Sequence, residues 1–326
     1  MRTKKTGLVI FIGLFVSIVS AGYTLVDEYS GGALFSEFTF FTGPDPTEGF
    51  VKYLSESEAR DAGLISVIQG YDGEPVAYIG VDYTNEAPEG RPSVRISSSK
   101  TYNKGLFIAD FTHVPSATCG TWPAFWMLGP NWPHGGEIDI YEGINLQNVN
   151  SMALHTGPDC SISRELSTHT GMIVTENCDV NAPEQPFNKG CQVLSNDPAS
   201  FADGLNAIGG GMFATEWTDD GISIWFFSRQ SGIPSDIENG IPDPSQWGLP
   251  EAMFKGASCN FTKSFVDLGF VLDTTFCGQW AGQKWSTSQC AAKRATCEEF
   301  VKHSPEAFRE SYWEVKSLKV YQVGVF

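Results

Sequence analysis

The chain has 326 residues, 41% of them hydrophobic, and a formal charge of −17. That length supports one large domain with a sizeable core, and that acidity argues against nucleic acid and anionic membrane surfaces as partners. The eight cysteines include no Cys-x-x-Cys pair, which argues against a zinc site and for four disulfides in an oxidising compartment, with the pairing left open.

In chain order, the first feature is a targeting segment. Arg2, Lys4 and Lys5 form a basic start, residues 8–19 an apolar core, and Val19-Ser20-Ala21 a run of small residues suited to cleavage before Gly22. The apolar stretch is short for a bilayer span, so residues 1–21 are expected to be a signal peptide, and the protein secreted and free of the membrane after cleavage. Its loss removes three basic residues and no acidic ones, taking the charge from −17 to −20. No linker, repeat or composition shift divides residues 22–326, which are expected to form a single domain acting as a monomer.

Short apolar runs follow, separated by Gly, Pro, Asn and Asp clusters, which is the pattern of strands joined by turns. Strands are predicted at 35–41, 76–82, 93–97, 105–110, 124–128, 137–141, 151–155, 212–217, 221–228, 265–271 and 312–321. Helix-like stretches are confined to 55–64 and 290–301. The expected class is all-β, a sandwich or jelly roll. In the run from Gly120, Trp122, Ala124, Trp126 and Leu128 share one strand face, though Pro123 makes the alternation trustworthy only from Ala124 onward. Trp132 lies in a Pro-Asn-Trp-Pro turn just before Glu137, a place suited to the rim of a groove. Aromatic rings suit the apolar C–H faces of β-glucose, while ordinary packing is the alternative for each tryptophan taken singly.

The most informative segment is Glu137-Ile-Asp-Ile-Tyr-Glu142. Ile138 and Ile140 alternate with Glu137 and Asp139, the period of a half-buried strand. A regular strand would send Glu142 to the core, and one extra residue near Tyr141, a β-bulge, returns it to the side of Glu137 and Asp139. A helix does worse, because positions 137 and 142 do not share a helical face. Three carboxylates lining one groove suit glycoside hydrolysis, which needs a nucleophile or base and an acid that keeps its proton. A calcium site and a merely solvated acidic strand are the alternatives. His155, at the end of the next strand, could point into the same groove and bond a sugar or a carboxylate, or be a structural histidine. No Gly-x-Ser-x-Gly elbow and no phosphate-binding glycine loop opening a helix is present. Asn260-Phe261-Thr262 is the one N-glycosylation sequon.

These residues carry a resemblance. Glu137-Ile-Asp-Ile-Tyr-Glu142 is similar to the Glu-x-Asp-x-x-Glu signature of glycoside hydrolase family 16, and its surroundings resemble the fungal laminarinase-like endo-1,3(4)-β-glucanases. The likeness includes Arg91-Pro-Ser-Val-Arg-Ile96, Cys119-Gly-Thr-Trp-Pro-Ala-Phe-Trp126, Met152-Ala-Leu-His-Thr156, Gly210-Gly-Met-Phe-Ala-Thr-Glu-Trp217 and Cys277-Gly-Gln-Trp-Ala-Gly282, and it spans nearly all of residues 22–326. The resemblance implies a curved, concanavalin A-like jelly roll with an open concave cleft for a β-glucan. It also implies a retaining double displacement with Glu137 as nucleophile and Glu142 as acid/base. Asp139 would bond Glu137, and ionised Glu137 and Asp139 would together raise the pKa of Glu142. Trp126, Trp132, His155 and Trp280 are the substrate-contact candidates, and no cofactor or metal is assigned. Gln279 departs from the family, where Asp is common. A transglycosylase, a non-catalytic glucan-binding jelly roll and a calcium-dependent adhesive domain remain as rivals.

Overall fold

The computed structural model describes residues 22–164, 168–256 and 258–324. The expected signal peptide lies outside the described residues. Among the described residues, no helix is long and apolar enough to cross a membrane.

Two eight-stranded antiparallel sheets pack face to face. The sheet that carries the acids runs, in spatial order, Met172–Thr175, Cys191–Leu194, Ser151–His155, Glu137–Glu142, Thr121–Leu128, Gly269–Phe276, Arg95–Ser98 and Phe38–Phe40. The other runs Ala252–Phe254, Ile222–Ser228, Gly211–Trp217, Gly105–His113, Trp313–Val323, Pro75–Ile79 and Ile65–Gln69, with Tyr23–Tyr29 added along the far half of Trp313–Val323. The expected all-β jelly-roll sandwich is what the chain forms.

The period-2 pattern explains the layering. From the acid-bearing sheet, Phe125, Met127, Ile138, Leu154 and Phe270 point inward; from the other sheet, Phe107, Phe111, Phe213, Ile224 and Leu318 meet them in one buried cluster. Aromatic rings join the layers, with Phe111 against Phe125 and Phe107 against Phe270, both at 5.4 Å between centroids in edge-on geometry. Pro123 sits inside its strand after all. Ladder pairing with the acidic strand stops at Ala124, opposite Glu142, so the imino nitrogen interrupts no pairing on that side.

Several predicted boundaries need correction. The 35–41 run is a helical turn, Ala33–Ser36, followed by the short strand Phe38–Phe40. The 93–97 run is split between Arg91–Ser93, in a small parallel pair with Val51–Tyr53, and Arg95–Ser98. The 265–271 strand is displaced to Gly269–Phe276, because a short helix capped by Asn260 occupies Phe261–Ser264 and Phe265 ends it. The 290–301 stretch divides into a 3-10 turn, Gln289–Ala292, and a helix, Cys297–His303. The 55–64 helix holds as Glu56–Asp61, with Ser55 and Glu58 closing a capping box. Edge strands such as Tyr23–Tyr29 and Met172–Thr175 escaped notice because much of their surface is exposed and their apolar pattern is weak.

All eight cysteines pair, as Cys119–Cys290, Cys160–Cys259, Cys178–Cys191 and Cys277–Cys297. The first and last anchor the helical segment after Phe276 around a second small core containing Trp285, Phe300 and Phe308.

One buried acid away from the acidic strand makes stability pH-dependent. Glu251 accepts a hydrogen bond from Ser195 Oγ at 2.7 Å, and burial pushes its carboxyl up to about 7. The folded state therefore binds this proton more tightly than the unfolded chain. Stability is complete below the ordinary Glu range near 4.5 and is lost as pH rises through about 7. Glu251→Gln is expected to stabilise the protein at pH 8 by about 3 kcal/mol, with little change at pH 4. Thermal melts at both pH values check this, and an equal shift at both would contradict it.

Candidate active site

The acidic strand pairs Glu137 with Leu128, Ile138 with Met127 and Asp139 with Trp126, and then Tyr141, not Ile140, with Phe125. Ile140 is thus the extra residue, and the expected bulge lies one position before Tyr141. Ile138, Ile140 and Tyr141 are all buried in the core, so Glu137, Asp139 and Glu142 share the outward face. Trp122, Trp126 and Asp273 stand on that face from the two strands on one side, and His155 from the strand on the other.

Each glutamate is held by an indole. Trp132 Nε1 donates to Glu137 Oε2 at 2.5 Å, and Trp122 Nε1 donates to Glu142 Oε1 at 2.8 Å. Asp139 between them is 1% exposed. Burial, and after it the neighbouring Glu137 charge, pushes its carboxyl well above the usual range, and it is hydrogen-bonded to Glu137. Burial thus favours the protonated form of Asp139, a cause that the sequence expectation did not include. Glu142 is also raised well above the ordinary range, by burial first and then by Asp139, with Trp122 and His155 acting in the opposite direction.

His155 supports this arrangement from the side. Its Nδ1 lies 3.1 Å from Asn188 Oδ1 and its Nε2 3.2 Å from Asp139 Oδ2. An amide oxygen only accepts, so Nδ1 carries a hydrogen and donates it to Asn188, which fixes the ring with Nε2 toward Asp139. His155 Nε2 thus stands against a carboxylate, one of the uses foreseen for it. The loop that delivers Asn188 approaches closely because Gly190, at φ 61°, has no side chain; a Cβ there would meet Leu154 O at 2.3 Å and His155 Nδ1 at 2.9 Å. Donor atoms of Glu137, Asp139 and His155 lie within 4.8 Å of one another, close enough to hold a cation. Their oxygens are instead committed to each other, to an indole and to an imidazole, unlike the six to eight oxygens of a calcium cage.

The remaining sequence candidates extend the same surface. Trp126 Nε1 donates to Asp273 Oδ1 at 2.8 Å, and Tyr53 donates its hydroxyl to Asp273 Oδ2 at 2.9 Å. The Arg95 guanidinium lies 4.9 Å from the Trp126 ring centroid. Trp280 meets the Trp122 ring edge-on at 5.5 Å, carries the Lys189 ammonium 5.6 Å from its centroid, and is steadied where Asn145 Nδ2 donates to Ala281 O at 3.0 Å. Gln279 donates its backbone N–H to Thr47 O.

Residues 38–321 match the family profile described as XgeA-like, catalytic GH16 domain. The chain belongs to glycoside hydrolase family 16. It is 45% identical over 327 residues to an endo-1,3(4)-β-glucanase of Arthroderma benhamiae, covering 99% of this chain and 69% of that protein. It spans about half the length of several Aspergillus relatives, 47% and 46% for two of them. Among solved structures, an elongating family 16 β-1,3-glucosyltransferase is 42% identical, with a TM-score of 0.84 over 92% of this chain and 100% of that one. Laminarinase 16A from Phanerochaete chrysosporium, solved with 6-O-glucosyl-laminaritriose in both donor and acceptor sites, is 38% identical, with a TM-score of 0.85 over 92% of this chain and 99% of that one.

Four residues of this candidate site escaped the sequence reading: Trp122, Asp273, Arg95 and Asn188. Trp122 had a signal, its place on the Trp126 face, which Pro123 obscured. Asp273 would have followed from placing its strand at 269–276. Trp122 also sets an expected pH effect. Its N–H stabilises ionised Glu142, so Trp122→Phe should raise the Glu142 pKa and move the alkaline limb of kcat/KM on laminarin to higher pH. A pH–rate profile checks this, and an unmoved limb would count against the assignment.

Proposed function

We propose that this family 16 glycoside hydrolase is a retaining endo-β-glucanase acting on β-1,3 and mixed β-1,3/1,4 glucans, with Glu137 as nucleophile and Glu142 as acid/base. The observation that carries the reading is the bulge at Ile140, which sets both glutamates on one face with buried Asp139 between them. Glu137 attacks the anomeric carbon while Glu142 delivers its proton to the glycosidic oxygen. The C–O bond breaks and the departing chain leaves as an alcohol. Trp122 steadies the carboxylate that Glu142 has become. Glu142 then takes a proton from water, the water oxygen bonds the anomeric carbon, and the ester bond's electron pair returns to Glu137. Asp139, beside Glu137, tunes the charge of Glu137 as it leaves. Two inversions give net retention.

Trp126, Trp132, His155 and Trp280 serve this reading as the sugar-facing surface. Trp132 is 41% exposed, and the relatives named as glucanases and laminarinase support a β-glucan substrate. The signal-like residues 1–21, together with four disulfides, support secretion. A second reading, glucan transfer, is favoured by the likeness to the elongating glucosyltransferase. It uses the same residues, with a sugar hydroxyl replacing water in the second step.

Incubation of the secreted protein with laminarin, with and without added laminari-oligosaccharide, tests the reading. Shortening chains with a matching gain of reducing ends are expected. Products longer than the starting chains, without new reducing ends, would favour transfer. Untouched laminarin and lichenan would overturn both.

A further inference from the structure

We propose that Asn150 is a positioning residue that fixes the bulge and thereby aims Glu142. This rests on the reading of Glu142 as the acid/base. A bulge leaves the ladder locally unpaired, so an unsatisfied backbone group at that point must find a partner elsewhere. Asn150 supplies two. Its Nδ2 donates to Ile140 O at 2.8 Å, on the extra residue itself, and its Oδ1 accepts from Glu142 N at 3.0 Å, on the residue being aimed. One side-chain amide thus spans the irregularity as a ladder neighbour would.

The clamp is rigid because Asn150 is held as firmly as it holds. It is fully buried. Its own N–H donates to Ser200 Oγ at 3.0 Å, and its carbonyl accepts from Ser195 N at 2.9 Å. Ser200 Oγ donates in turn to Asp197 O at 2.7 Å. Only an amide carries a donor and an acceptor on one planar fork; Asp would present a second acceptor to Ile140 O, and Ala would present nothing.

The consequence for chemistry is specific. Misplacing a proton donor by about 1 Å costs on the order of 10²-fold, and the cost falls on substrates whose leaving group needs that proton. Asn150→Ala is therefore expected to lower kcat on laminarin by about 10- to 100-fold, and to slow attack on an activated aryl β-glycoside much less. Asn150→Asp should show the same selectivity. Ser200→Ala, which loosens the clamp by one bond further out, should show a weaker form of it and covers the case in which the Asn150 variants fail to fold.

The test compares these variants with Glu142→Ala on laminarin and on an aryl glycoside, each checked by thermal melt. Leaving-group-dependent losses that parallel those of Glu142→Ala are expected. If Glu142→Ala shows the dependence while the folded clamp variants lose activity equally on both substrates, or lose none, the positioning role is overturned and the acid/base reading stands. If Glu142→Ala itself lacks the dependence, the underlying reading fails first.

Discussion

Glu137→Ala is expected to lower hydrolysis of laminarin by a factor on the order of 10⁴ or more, the scale seen when a covalent nucleophile is removed. The fold should survive, because Glu137 is half-buried and its contacts are with Trp132 and Asp139 rather than with the core. Removing its charge also removes one of the causes that raise the Asp139 pKa, and Asp139 is too deeply buried to attack in its place. Azide should partly restore turnover of an activated β-glycoside and yield the α-glycosyl azide, since the small anion enters from the vacated face. Residual activity within tenfold of wild type, or a β-azide product, would contradict the assignment.

Glu142→Ala is the second large effect, and its size depends on the leaving group. On laminarin the departing oxygen is a poor leaving group, and loss of the general acid should cost about 10²- to 10⁴-fold. On an aryl glycoside that leaves without a proton the first step should be nearly unaffected, so the glycosyl ester accumulates and hydrolysis becomes limited by the missing base. Azide should now speed breakdown of that ester and give the β-glycosyl azide. Equal losses on both substrates would count against the acid role. Wild-type activity should also fall at alkaline pH as Glu142 ionises, with a limb well above the ordinary Glu range because its carboxyl is raised by burial and by Asp139.

The part of the site legible in the sequence was the part governed by parity. Ile138 and Ile140 fix which face is inward, and the odd separation of Glu137 from Glu142 then requires an extra residue if the two acids are to meet; the structure places it at Ile140. Sequence could not say what stabilises that residue, because the partner, Asn150, lies past a turn with no local pattern of its own. Nor could it show that burial pushes the Asp139 carboxyl up, since that depends on how deeply the strand is covered. Asn188 reaches His155 from a loop closed by Cys178–Cys191, and no periodicity announces which loop will arch over a sheet. The disulfides Cys119–Cys290 and Cys160–Cys259 join residues 171 and 99 apart in sequence, a pairing that only the folded topology decides. Among the tryptophans, Trp126, Trp132 and Trp280 are candidates through the family resemblance, and the structure adds the edge-on contact of Trp280 with Trp122.

The most direct test of the central claim is time-resolved proton NMR of laminarin with the purified protein, following the anomeric signals before mutarotation. Double displacement through Glu137 and Glu142 predicts β-anomer as the first reducing-end product, with the α signal growing only later. An α-anomer appearing first would mean a single inverting displacement and would contradict the nucleophilic role of Glu137.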